Sequence, residues 1–113
     1  MTTFTTGRLA EKAAADYLRS KGYTILDQNW RTAWCEVDIV AVYKGVVYIC
    51  EVKYRETTYQ GGGIEYITPK KLRQLERAAD SWVALHSWNG EYQLAALEVS
   101  GPDFAVTTFV TEF

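Results

Sequence analysis

Two runs rich in Val, Ile and Tyr, Glu36 to Tyr43 and Val46 to Arg55, flank Lys44-Gly45, and this pair constrains the fold more than any other feature of the chain. Each run has the length and β-branched content of a strand, and a two-residue connection containing Gly is a hairpin signal. Both runs carry charge at the end away from the turn: Glu36 and Asp38 in the first, Glu51, Lys53 and Arg55 in the second. A two-residue turn pairs Tyr43 with Val46, and counting outward opposes Asp38 to Glu51 and Glu36 to Lys53. On this register Val37, Ile39 and Ala41 face one side and Glu36, Asp38, Val40 and Val42 the other. Glu51, Lys53 and Arg55 share a face with Val47 and Ile49. Directly opposed side chains have Cβ atoms roughly 5 Å apart. Two full negative charges at that distance repel by roughly 3 kcal/mol at an effective dielectric of about 20. A favourable cross-strand pair contributes only about 0.2–1 kcal/mol. Repulsion wins unless a cation or a shared proton relieves it.

The remaining elements follow from periodicity and punctuation. Thr6 to Lys21 reads as a helix, with Ala10, Ala13, Ala14, Tyr17 and Leu18 at helical spacing and Gly22 where a C-terminal cap belongs. Tyr23 to Arg31 reads as a strand. Glu56 to Tyr66 is a loop containing Gly61-Gly62-Gly63. Thr68-Pro69 opens a second helix, Thr as N-cap and Pro at the first position, with an apolar stripe of Leu72, Leu75, Ala79, Trp82, Val83 and His86. Strands near Tyr92 to Val99 and Ala105 to Val110 complete the order α-β-β-β-α-β-β. The expected class is α/β (an α+β mixed sheet with helices packed on it), one domain over residues 1–113, as befits 113 residues.

Composition removes several chemistries. One His and two Cys, Cys35 and Cys50, argue against a disulfide framework or a structural zinc site. There is no phosphate-binding glycine motif of the P-loop type, and any triad would have to use His86. Carboxylates and lysines are left. A hard divalent cation is the natural relief for crowded acids, since Mg²⁺ takes oxygen ligands and is held by one or two carboxylates plus water and substrate phosphate. Lys53, two residues past Glu51 on the same face, would stand beside it, placed to orient an attacking water and to stabilise charge developing on a phosphate. Glu11 lies on the shoulder of the first helix's apolar stripe, where a carboxylate can reach over the sheet toward the same pocket. Spacing alone leaves a second reading open: Asp38 solvated at a strand end, Glu36 and Lys53 an ordinary ion pair, Glu11 a surface residue.

The combination of motifs is more specific than its parts. Gly7-Arg8-Leu9-Ala10-Glu11 opens the first helix, Tyr17-Leu18 and Gly22-Tyr23 close it, and Asn29-Trp30-Arg31 follows. Then come Cys35-Glu36-Val37-Asp38, Glu51-Val52-Lys53-Tyr54-Arg55, Gly61-Gly62 and Lys71. This series resembles the YraN-like family of small bacterial proteins over nearly the whole chain. That family is similar to the restriction-endonuclease-like superfamily, with its D…(D/E)-x-K core, and to archaeal Holliday junction resolvases within it. The resemblance implies a restriction-endonuclease-like core. It implies that Glu11 is the helix-borne acid, Asp38 the central metal-binding aspartate, and Glu51 with Lys53 the E-x-K pair. The backbone carbonyl of Val52 would be a further metal ligand, and Glu36 matches the glutamate of a G-E-I-D motif, a residue supporting the metal ligands from behind. Cys35 stands where that motif has Gly, Val37 where it has Ile, and Ala10 where Gly is expected before Glu11; no catalytic side chain is lost.

The expected activity is divalent-metal-dependent hydrolysis of DNA phosphodiesters, with Mg²⁺ or Mn²⁺ as cofactor and branched or single-stranded DNA among the substrates. DNA is expected in preference to RNA. The alternatives are a non-catalytic nucleic-acid-binding module of the same fold, or a protein-interaction adaptor using an acidic face. Net charge is −2, but residues 1–79 hold all 12 basic side chains and nine of the 14 acidic ones, a net of +3. Lys70, Arg73 and Arg77 form a basic stripe on the second helix that, with Lys71 and Arg55, could neutralise backbone phosphates; a solvated helix face is the plain alternative. Tyr59 and Tyr66 flank the glycine run, as stacking aromatics or as parts of a flexible loop. His86 reads as structural, Trp30, Trp34, Trp82 and Trp88 as core or rim, Cys50 as buried, and Phe109 and Phe113 as packing for the last strand. No run reaches the roughly 20 apolar residues of a membrane span, and the N-terminal residues lack a signal-peptide pattern. A cytoplasmic protein without membrane contact is expected. Many related resolvases dimerise, so the resemblance leaves a homodimer among the open arrangements.

Overall fold

Alanine dominates the buried face of the first helix and tryptophan anchors the second, and these two faces clasp one sheet between them. The computed structural model describes residues 3–56 and 67–113. Tyr59, Tyr66 and Gly61-Gly62-Gly63 lie outside the described residues. The chain runs α1 (Thr3–Ser20), β1 (Thr24–Arg31), β2 (Glu36–Tyr43), β3 (Val46–Arg55), α2 (Pro69–Leu85), β4 (Tyr92–Ser100) and β5 (Ala105–Val110). This is the expected order, a mixed α/β architecture. The five strands lie side by side as β1-β2-β3-β4-β5. All neighbours are antiparallel except β3 and β4, which α2 joins as a parallel crossover.

Local signals explain the boundaries. α1 ends in a Schellman motif: Tyr23 N–H donates to Leu18 C=O at 3.0 Å and Gly22 N–H to Arg19 C=O at 3.0 Å, with Gly22 at φ +96°. The Thr68 hydroxyl accepts from Lys71 N at 3.1 Å, satisfying a first-turn donor, and Pro69 follows at the first helical position. Lys44 and Gly45 both have positive φ, 49° and 80°, the twist that suits a two-residue hairpin.

One face of the sheet packs Ile39, Ala41, Cys50, Ala95, Leu97 and Val99 against Ala10, Ala14, Ala15 and Leu18 of α1. The other packs Val37, Val40, Val47 and Ile49 against Leu75, Ala78, Ala79 and Trp82 of α2. Small side chains on α1 let that helix lie close over the strands. Trp82 donates its indole N–H to Asp27 at 2.8 Å, so its buried polar atom is satisfied. His86 stacks on Trp82, 4.2 Å between centroids, with Nδ1 2.9 Å from Trp82 C=O, a structural role as expected. Phe113 is 51% exposed and does not pack the last strand, while Phe109 joins the α1 side. Among the described residues no helix is long and apolar enough to cross a membrane.

Candidate metal centre

β2 and β3 pair from Tyr43↔Val46 out to Ile39↔Cys50, the register that the two-residue turn dictates. Beyond that row the ladder stops, although β2 runs on to Glu36 and β3 to Arg55. β3 stays paired with β4 as far as Arg55↔Ser100, so β2 is the strand that departs and the sheet forks. Asp38 sits in the fork. Its carboxylate accepts Val52 N–H at 2.8 Å, taking the donor that a continued ladder would have aimed at the β2 backbone. The expected rungs Asp38–Glu51 and Glu36–Lys53 are therefore not formed.

A second correction concerns the faces. Val37 packs on the α2 side and Ile39 on the α1 side, so strand alternation breaks at Asp38. The neighbouring strand breaks with it. Gln28 pairs with Ile39 and Trp30 with Val37, and Asn29 between them takes the left-handed conformation at φ 52°, which Asn tolerates better than most residues. Asp38 consequently lines a cleft of about 200 Å³ beside α1, with Gly7, Arg8, Glu11, Asn29 and Glu36. Glu51 continues the alternation of Val47 and Ile49 and lines a cleft of about 310 Å³ beside α2, with Trp34, Glu36, Lys71 and Arg77. Glu36 borders both. The acids thus converge on the fork from two sides rather than from one shared face.

Electrostatics marks Asp38 as the odd member. Burial pushes its carboxyl up to about 7, and Glu51, Glu11 and Glu36 add to the rise, against the stabilising bond from Val52 N–H. The other three acids have cations nearby: Arg8 at 3.5 Å from Glu11, Lys71 at 3.5 Å from Glu51 and Arg31 at 4.0 Å from Glu36. Among the described residues no Lys, Arg or His lies within 4.0 Å of the Asp38 carboxylate. Lys53 is drawn below its ordinary value by burial and by the Lys71 ammonium, while Glu51 and Asp38 pull the other way. Lys53, Glu51 and Asp38 therefore lie within one another's field. Among the described residues no three His, Cys, Asp or Glu side chains form a ready cage for an ion. The donor set still suits a hard dication: a desolvated carboxylate with no described cation in contact, a second carboxylate across the fork, and room for water. Within a strand the N–H and C=O of one residue point to the same edge. Val52, whose N–H reaches Asp38, thus turns its carbonyl toward the fork as well.

The basic residues divide. Lys70, Arg73 and Arg77 are exposed on α2, and Lys71 is partly exposed beside Glu51. Arg55 departs from the expectation of a phosphate contact. Its Nε lies 3.0 Å from Glu98 Oε2, the two side chains being 12% and 3% exposed, because β4 brings Glu98 alongside in the parallel register. Thr107 Oγ1 donates to Glu98 Oε1 at 3.0 Å, joining a buried polar group that sequence periodicity had no means of announcing. Trp34 differs too: it is 93% exposed, neither core nor rim.

The fold and this forked edge define the class: a mixed α/β domain compatible with a nuclease-like core. The sequence model of the Uncharacterised protein family UPF0102 matches residues 10–104, and the chain belongs to that family. It is 39% identical over 80 residues to a UPF0102 protein of Kineococcus radiotolerans, covering 71% of this chain and 66% of the relative. A UPF0102 protein of Cytophaga hutchinsonii is 29% identical over 100 residues, 88% of each chain. One from Mycolicibacterium vanbaalenii is 41% identical over 78 residues, covering 69% of this chain and 64% of the relative. The match thus spans just under two thirds of the length of the Kineococcus and Mycolicibacterium relatives.

Proposed function

We propose that the protein is a divalent-metal-dependent phosphodiester hydrolase acting on DNA. The observation that supports this reading is the fork itself: a desolvated Asp38 tied to the Val52 backbone, with Glu51 and Lys53 on either side of Val52 in β3 and within its electrostatic reach. Asp38, Glu51 and the Val52 carbonyl would hold Mg²⁺ or Mn²⁺, with Glu11 supporting from the α1 side and Glu36 bordering both clefts. When bound, such an ion supplies Lewis-acid activation of water and of the scissile phosphate. The chain's own side chains do the rest. Lys53, whose ammonium is partly desolvated and lies in the field of Glu51 and Asp38, can hydrogen-bond the attacking water and stabilise the negative charge that develops on the phosphate. Lys70, Lys71, Arg73 and Arg77 offer cations to phosphates flanking the cut.

The test is cleavage of duplex, flapped, single-stranded and four-way-junction DNA with Mg²⁺ or Mn²⁺, comparing the wild type with Asp38→Ala and Lys53→Ala. Metal-dependent cutting that both substitutions abolish is the expected result. Equal activity in all three proteins would point to contamination and sink the reading. The Lys71–Glu51 ion pair at 3.5 Å favours one competitor, a nucleic-acid-binding module whose second acid is already neutralised. That protein would bind DNA in a salt-sensitive way and cut none of the substrates with either metal.

A further inference from the structure

We propose that Trp34 is a stacking platform for an unpaired base, so that the substrate class is DNA with unpaired nucleotides rather than uniform duplex. This rests on the nuclease reading for the chemistry but on its own observations for the binding. Among the described residues Trp34 is the most exposed of the large apolar side chains, at 93%. Its backbone is nevertheless held firmly. Thr32 Oγ1 accepts from Trp34 N at 3.1 Å and from Cys35 N at 3.2 Å, and Thr32 N donates to Cys35 C=O at 2.8 Å. An indole on a fixed turn loses little backbone freedom when something settles on it.

Its surroundings specify what can settle there. Trp34 lines the α2-side cleft of about 310 Å³ together with Glu36, Glu51, Lys71, Leu75 and Arg77. Among the described lining residues, Leu75 and Cys35 are the apolar neighbours of the indole, and Leu75 is itself buried at 4% exposure, so a hydrophobic peptide would find little continuous patch to cover. A nucleotide meets the cleft part by part: its base offers a π-face to the indole, and its phosphate offers negative charge to Lys71 and Arg77. Glu51, at the edge of the candidate metal centre, shares the cleft, so a base on Trp34 would hold its own strand next to the fork. Bases inside a duplex are already stacked on both faces and have none to give. Unpaired bases do, and discrimination between the two follows.

The experiment uses the full chain and two labelled DNAs of equal length: a duplex, and the same duplex carrying a run of unpaired thymines. Binding is followed by anisotropy in EDTA with the wild type, Trp34→Ala and Trp34→Phe, and cleavage is then measured with Mg²⁺. Loss of one stacked base weakens binding about tenfold, so Trp34→Ala should lose about that factor on the unpaired DNA. Trp34→Phe should stay within about threefold of the wild type, and duplex binding should be unchanged in both. A wild type that binds the two DNAs equally, or neither, would overturn the proposal. An alanine variant that loses both equally, or loses nothing, would do the same. Trp34-dependent binding without cleavage would leave this inference standing and remove the hydrolase; cleavage indifferent to Trp34 would do the reverse.

Discussion

Asp38→Asn should stabilise the metal-free protein at neutral pH, and the size of the effect follows from the fork. Asparagine keeps an oxygen for Val52 N–H, so the 2.8 Å bond can persist while the charge disappears. In the wild type the folded carboxyl is pushed up to about 7 from its ordinary 3.8. The folded state then holds this proton more tightly than the unfolded chain. Stability is undiminished below the unfolded value, falls as pH rises through the interval between the two, and is at its lowest above the folded value. At 1.36 kcal/mol per pH unit, wild-type stability should drop by about 3–4 kcal/mol between pH 4 and pH 8 on account of this one group. The variant lacks the group. Its advantage over the wild type should grow by about that amount across the interval, a melting shift on the order of 10–15 °C for a chain of this size. Urea titrations of both proteins in EDTA, at the two ends of the range, measure it, with the common titrations of other residues cancelling in the difference. Saturating Mn²⁺ should restore stability to the wild type at the upper pH and do little for the variant. A stability difference that stays level across the interval, or a variant less stable at pH 8, would refute the electrostatic account of the fork.

Glu98→Ala removes the carboxylate beside buried Arg55, which should cost about 3–5 kcal/mol in denaturant titrations; a loss under about 1 kcal/mol would mean water reaches the pair. Gly22→Ala forces a Cβ into a left-handed position at φ +96° and to 3.2 Å from the Tyr43 ring, so thermal unfolding should register a loss of about 1–3 kcal/mol. If the exposed α2 cations meet phosphates, Arg73→Gln and Arg77→Gln should each lower the slope of log affinity against log salt by about 0.7–0.9, nearly independently of DNA sequence. Unchanged slopes would return that stripe to its plain reading as a solvated helix face.

Much of this architecture was legible in the sequence because its signals are local. The Gly22 stop, the Thr68-Pro69 start, the Lys44-Gly45 turn and the period-two runs act through backbone dihedrals and near neighbours, and each element appears within a few residues of where those signals put it. The hairpin register followed from turn length alone and holds as far as Ile39↔Cys50. Counting could not reach past that row, because whether a ladder continues depends on the neighbouring strand. Asn29 turning left-handed in β1, and Asp38 claiming the Val52 donor, end the ladder and move Val37 to the opposite face. Arg55 shows the same limit in another form. A cation at a strand end looks available for phosphate until β4, over forty residues further along the chain, delivers Glu98 to its side. Trp34 reads as core or rim in the sequence and lies in water in the fold, since a tight turn gives its ring nothing to pack on. By itself, then, the order of residues determined which segments are helix or strand, which side chains are candidates for chemistry and which family the chain belongs to. Only the tertiary structure decided which of those charges are spent on one another and which stay open, because desolvation and pairing depend on distances between segments that the chain brings together only when folded.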